Sequence, residues 1–323
     1  MTKPFRYHRA DSADDALAAL AAPGSVALGG GTDLLVTMKE GLAAPEHLVD
    51  VRHVRGARDI TARADGSVRI GGAARIADLA AHAVIRNKFA ALAEASRVVG
   101  TPALRNMGTI AGNLCQRPRC WYFRRGVACM KNGGSGCAAV DGENQYHAIL
   151  GGGPCHAVHP SDPAIALAAL EATVELLGKN GARRSVPIAD FFANAASNPL
   201  GETVLAHGEM IEAVELPARS SGGTQHYTKL MQRGAWDFAL VSLAGIKRGD
   251  GEVRVVLGGV APAPYRVNQS VEEDVQSGEL DEESADALAE RALYDAEPLS
   301  KNGYKVTQAA TLLKRAMLEL SRA

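Results

Sequence analysis

No charge of either sign dominates this 323-residue sequence, in which 35 Lys and Arg stand against 36 Asp and Glu. That balance leaves no electrostatic footprint for nucleic acid, and no polybasic stretch offers itself to a membrane surface. Long apolar runs are missing as well. Those present, such as Ala164 to Leu170, stop far short of the roughly 20 residues that span a bilayer, so no membrane insertion is expected. The opening MTKPFRYHRADSADDA has basic residues but neither an apolar stretch nor a cleavage site. It therefore reads as carrying no secretory signal of its own, and export docked on a partner stays open. There is no Ser-His-Asp order, no HExxH and no paired-carboxylate motif. No catalytic residue is assigned. Aromatics amount to 5%, yet hydrophobic residues reach 46% and charged residues 22%, the composition of a globular chain of two or three domains.

Ser12-Ala13-Asp14-Asp15 before Ala16, Leu17 and Leu20 gives a capped, acidic first turn with helical apolar spacing. Val26 to Leu28, the glycines 29–31 and the run from Leu34 to Met38 read as strand, turn and helix, and His47 to Val51 completes a small βαβ unit. Val68 to Ala73 predicts a strand, followed by helices over Ile76–His82 and Val84–Val98. Periodicity then fades from Leu114 to Gly153, where glycine and charge accumulate, and an insertion over about 114–156 is expected. Regular structure resumes with a helix over Pro163–Leu170 and strands over Thr173–Leu177 and Met210–Leu216. The run Pro217 to Gly223 is the best linker candidate, which divides the chain into 1–220 and 221–323. Beyond it, Tyr227–Met231, Leu240–Ile246 and Val253–Val260 predict three antiparallel strands, with helix from Val271 to the end.

LGGGTDLL sets three glycines between strand and helix, where backbone N–H groups can approach a phosphate. It has neither the G-x-G-x-x-G of a Rossmann site nor the lysine of a P-loop, and a plain tight turn explains it equally well. A second turn, GTIAGN at 108–113, has the same ingredients, and two such loops can cradle the two phosphates of a dinucleotide. Asp162 reads as part of an ordinary helix start and Lys229 as a solvated strand residue. His156 and His159 read as loop or surface residues rather than ligands.

All five cysteines fall between Cys115 and Cys155, with four, eight, seven and seventeen residues in the intervals. A disulfide framework fits neither the odd count nor the chain length. Zinc favours tight Cys-x2-4-Cys pairs. A cubane iron–sulfur cluster accepts thiolates from widely spaced loop positions, and glycines at 133, 134, 136 and 151–153 let a loop wrap it closely. Spacing favours iron–sulfur over zinc, with inert thiols as the third reading. Cys115 directly follows Gly-Asn-Leu, where a small buried thiol is the plain expectation. Cys120, Cys129, Cys137 and Cys155 are then the ligand set.

Taken together, AxGGGTDLL, GTIAGNLCQ, HPSD near 160 and a YxK strand after 220 resemble the FAD-binding subunit of the xanthine dehydrogenase and CO dehydrogenase family over essentially the whole chain. The added QRPRCWYFRRGVACMKNGGSGCAA looks like the cluster-bearing variant of periplasmic aldehyde oxidoreductases and 4-hydroxybenzoyl-CoA reductase. The resemblance implies an α+β fold: a two-subdomain FAD-binding domain of the PCMH type, then a C-terminal three-stranded antiparallel sheet with helices. It implies that Ala27, Leu28, Gly29, Gly30, Gly31, Thr32, Asp33 and Leu34, with Thr109, Gly112 and Asn113, line the FAD pyrophosphate and ring. Ser161 and Asp162 would meet the flavin's polar tail, and Lys229 would approach the ring from the second domain. Cys120, Cys129, Cys137 and Cys155 match the family's [4Fe-4S] ligands. The partners implied are a large molybdenum-cofactor subunit and a small [2Fe-2S] subunit, with this chain relaying electrons. Periplasmic localisation by co-export is expected, cytoplasmic otherwise. Competing readings are a related hydroxylase acting on a heterocycle or aromatic acyl-CoA, a zinc-stabilised scaffold and a self-sufficient FAD oxidase.

Overall fold

The computed structural model describes residues 2–193, 195 and 198–323. The chain opens with a three-stranded parallel sheet. Strands β1 (Arg6–Arg9), β2 (Ser25–Leu28) and β3 (His47–Asp50) lie in the order β1-β3-β2, joined through helices α1 (Ala13–Leu20) and α2 (Leu34–Lys39). Ser12 caps α1 by accepting from the Asp15 N–H at 3.1 Å. The expected βαβ unit is present, and β1 joins it as a strand the pattern did not show. All four β1 residues are exposed, so no apolar alternation marks it.

A second layer is the five-stranded antiparallel sheet of β4 (Ile60–Ala62), β5 (Val68–Gly71), β6 (Thr173–Leu177), β7 (Arg183–Pro187) and β8 (Met210–Leu216), ordered β4-β5-β8-β6-β7. Its helices are α3 (Ile76–Ala81), α4 (Ala83–Lys88), α5 (Ala90–Arg97), α6 (Pro102–Met107) and α7 (Ile110–Leu114). The single helix expected over 84–98 is broken at Phe89, whose φ of −135° and ψ of 52° lie outside the helical range. The insertion holds only the single turn α8 (Trp121–Arg124) and a 3₁₀ turn at Met130–Asn132. After it come α9 (Asp162–Ala169), almost wholly buried, and the short α10 (Ile188–Phe191).

The C-terminal sheet has four strands rather than three: β9 (Thr224–Leu230), β10 (Val241–Lys247), β11 (Val253–Gly258) and a two-residue edge, β12 (Tyr265–Arg266). Helices α11 (Gln269–Gln276), α12 (Glu282–Ala292) and α13 (Tyr304–Arg322) cover it. The continuous helix expected from Val271 is therefore three helices, interrupted at 277–281 and 293–303.

The segment 217–223 is pinned between these layers. Gln225 donates its side-chain amide to the carbonyls of Lys88, Ser220 and Gly222. Tyr227, Ala244, Ile246 and Val256 pack into the same core as Ile70, Leu92, Leu167 and Val214. One apolar core thus runs through the junction and fixes how the C-terminal sheet faces the glycine turns.

Candidate functional site

The two glycine turns touch. A Cβ on Gly30 would stand 1.9 Å from the Met107 carbonyl oxygen, and one on Gly29 would stand 2.5 Å from Thr109 Oγ1. Only glycine permits that approach. Gly31 also takes a left-handed φ of +71°. Thr109 caps α7, its Oγ1 accepting from the Gly112 N–H at 3.1 Å.

Two cavities border the paired turns, and a third adjoins the second of them through Arg119, Pro160 and Asp162. One of about 250 Å³ is lined by Ala27, Gly29, Gly30, Gly31, Thr32, Asp33, Leu34, Thr109 and Gly112. The next, about 300 Å³, is lined by Thr32, Asp33, Gly112, Asn113, Asp162 and Lys229. The third, about 350 Å³, takes in Ser161 and Asp162 and reaches Cys120. The sequence-derived residues therefore converge, apart from Leu28, which is buried against Met38 and Leu48.

Asp162 and Lys229 are paired at 2.8 Å, with side chains 6% and 2% exposed. Tyr227 donates its hydroxyl to the same carboxylate at 2.7 Å. Burial raises the Asp162 pKa, and the Lys229 and Tyr227 contacts work against that rise. The solvated-lysine reading of Lys229 is thus corrected, because β9 turns that face into the domain junction. Ser161 caps α9 and donates to Asn113 Oδ1 at 2.5 Å.

Asp33 is held by the insertion. Arg119 reaches its Oδ1 at 2.7 Å, Arg124 at 2.8 Å, and the Arg117 N–H donates to Oδ2 at 2.8 Å. Burial lowers the Arg119 pKa despite Asp33, and its guanidinium lies 4.9 Å from the centre of the Phe238 ring. Sequence reading missed these arginines and the cleft wall of Trp236, Asp237 and Phe238. The clustered arginines of QRPRCWYFRR were the available signal.

Cys120, Cys129, Cys137 and Cys155 line one further small cavity, together with Tyr122, Phe123, Met130 and alanines 138, 139 and 157. Cys115 lines the first glycine-turn cavity instead and packs against the main core. Burial pushes its thiol up to about 12. The neighbouring Cys137 and Cys155 thiols interact, which lowers the Cys137 pKa and raises that of Cys155. His147 Nε2 lies 3.2 Å from Cys120 Sγ, and burial lowers its imidazole to about 4. The buried Lys131 is neutralised by Glu202 at 2.7 Å. His159 is no surface residue: it is 3% exposed, 4.4 Å from the Phe192 ring centre, and burial pushes it down to about 3. Among the described residues, no three or more His, Cys, Asp or Glu side chains close on a point that a single metal ion could fill.

Residues 3–219 match the FAD binding domain in molybdopterin dehydrogenase, and residues 226–320 match the CO dehydrogenase flavoprotein C-terminal domain. The chain belongs to the FAD-binding subunits of the molybdenum hydroxylases. It is 39% identical over 321 residues to the aldehyde oxidoreductase FAD-binding subunit PaoB of Escherichia coli strain K12, covering 98% of each chain. The carbon monoxide dehydrogenase medium chain of Hydrogenophaga pseudoflava is 28% identical over 97% of this chain and 96% of its own length. A solved structure of carbon monoxide dehydrogenase from that organism superposes with a TM-score of 0.76 at 26% identity, covering 100% of this chain and 98% of the other. Such relatives make this FAD-binding subunit part of an oxidoreductase and give its fold as CO dehydrogenase flavoprotein-like. They are medium subunits of assemblies with larger and smaller chains, and no described helix here is long and apolar enough to cross a membrane.

Proposed function

We propose that this subunit carries a [4Fe-4S] cluster beside its FAD and relays electrons in a heterotrimeric, molybdenum-dependent aldehyde oxidoreductase. The observation that carries this reading is the convergence of Cys120, Cys129, Cys137 and Cys155 on one cavity, with Cys115 left out. Four thiols around a space, rather than around a point, suit a multi-atom cluster better than one zinc ion. The FAD would lie along the paired glycine turns, with Gly29 to Thr32 toward its pyrophosphate, Ser161 and Asp162 toward its polar tail and Lys229 toward its ring. Bound there, flavin and cluster together supply storage of electron pairs and their release one at a time.

The chain's own groups position and insulate. The paired glycines bring bare backbone to the cleft, while the Asp162–Lys229 pair brings the C-terminal sheet against it. Arg119 lines both cavities next to Asp162 and offers positive charge to an anionic ligand. The partners are a molybdenum-cofactor large subunit and a [2Fe-2S] small subunit, and the complex resides in the periplasm by co-export. An aldehyde substrate is favoured by the full-length relation to the subunit named aldehyde oxidoreductase.

Reconstitution tests this. The isolated chain should oxidise no aldehyde with a dye acceptor, and electron flow should appear when both partner subunits are added. Aldehyde turnover by the chain alone, at the rate of the complete assembly, would make it a self-sufficient oxidase.

A further inference from the structure

The cysteine cage has a built neighbour. His147 is 3% exposed, and its Nε2 lies 3.2 Å from Cys120 Sγ. Its backbone is clamped from the far end of the chain: Asn302 donates its amide to the carbonyls of His147 at 3.1 Å and Ala148 at 3.0 Å. Lys305, wholly buried, donates to the His147 carbonyl at 2.9 Å and the Gly259 carbonyl at 2.5 Å. Asn144 is tied in turn to the Ala139 carbonyl and to the Lys301 N–H. Two buried polar side chains from the C-terminal domain thus hold one imidazole against one cage sulfur. Core packing alone asks for no such clamp.

We propose that His147 is a positioning residue that donates an Nε2–H hydrogen bond to the Cys120 sulfur and sets the reduction potential of the cluster. The inference rests on the cluster reading above. A sulfur bound to iron has no proton to give, so the contact is favourable only with the imidazole as donor. When a cluster gains one electron, part of the added negative charge falls on its cysteine sulfurs. A donor at one of them favours the reduced state, and hydrogen bonds to the sulfurs are among the factors that set such potentials.

The test is an EPR-monitored redox titration of the assembled complex carrying wild-type chain, His147→Ala or His147→Gln, with iron and flavin assayed in each. His147→Ala should keep iron and flavin at wild-type levels while its cluster becomes harder to reduce. The reduction equilibrium should fall roughly tenfold, a shift of about 59 mV to more negative potential for a one-electron couple. His147→Gln, which retains an N–H donor, should recover part of that shift. An unchanged potential in His147→Ala with full iron overturns the proposal. Loss of iron from both variants also overturns it, because His147 would then be needed to build the cage rather than to tune it. Absence of cluster iron from the wild-type protein is a different failure, which removes the cluster reading and this inference with it.

Discussion

Lys229 on β9 crosses the domain junction to meet Asp162 at the start of α9, Nζ to Oδ2 at 2.8 Å, with both side chains almost entirely shielded from water. Removing one partner strands the other's charge in a buried site, which typically costs about 3–5 kcal/mol. Lys229→Met should therefore lower the unfolding free energy by roughly 3 kcal/mol in urea titrations of the flavin-free chain. The double variant Lys229→Met/Asp162→Leu should regain much of that loss. Equal stability of Lys229→Met and wild type would mean that the pair does not hold the junction.

The two glycine turns should fail in different ways. A side chain at Gly30 meets the backbone of Met107 and Gly108 before it meets any ligand, so Gly30→Val should impair folding itself. Gly112 has only Thr109 Oγ1 near its missing Cβ, at 3.1 Å, and it borders two of the cavities. Gly112→Val should keep the far-ultraviolet circular dichroism of the wild type and lose FAD. Full flavin content in folded Gly112→Val protein would place the FAD elsewhere.

Much of this was legible in the sequence, for identifiable reasons. Strands 173–177 and 210–216 have the bounds that their apolar patterns gave, because each is a dense run of buried apolar residues flanked by turns. The glycine turns could be read because their backbone demands glycine. What could not be read was held by long-range partners. Nothing local in Lys229 or Asp33 shows that one is buried against Asp162 and the other gripped by Arg119 and Arg124. His159 lies among loop residues, and only the packing of Phe192 against it reveals its burial.

Substitution should divide the cysteines four to one. Serine at Cys120, Cys129, Cys137 or Cys155 should deplete cluster iron, because an alkoxide is a poor substitute for thiolate at neutral pH. Cys115→Ser should retain it. In the metal-free chain, Cys115 should also alkylate more slowly than Cys137 at pH 8, since burial has pushed its thiol up to about 12 while the Cys137 thiol is lowered. Iron loss in Cys115→Ser alone would reassign the ligand set.

Lys305 gives a pH signature of its own. Burial lowers its ammonium from the ordinary 10.5 to about 7. Between those values the unfolded chain keeps a proton that the folded chain has released, so the Lys305 contribution to stability rises with pH, by at most about 1.4 kcal/mol per pH unit. The burial cost is fully present below pH 7 and relieved toward pH 10.5. In paired unfolding measurements, wild type should gain on Lys305→Met as pH rises from 7 to 9.5. A constant difference across that window would contradict a lowered lysine.

The most direct measurement is the cofactor content of the chain purified without oxygen: FAD by its visible spectrum, together with iron, zinc and acid-labile sulfide. The proposed relay subunit should hold about one FAD with about four iron and four sulfide per chain. FAD with one zinc, no iron and no sulfide would contradict it.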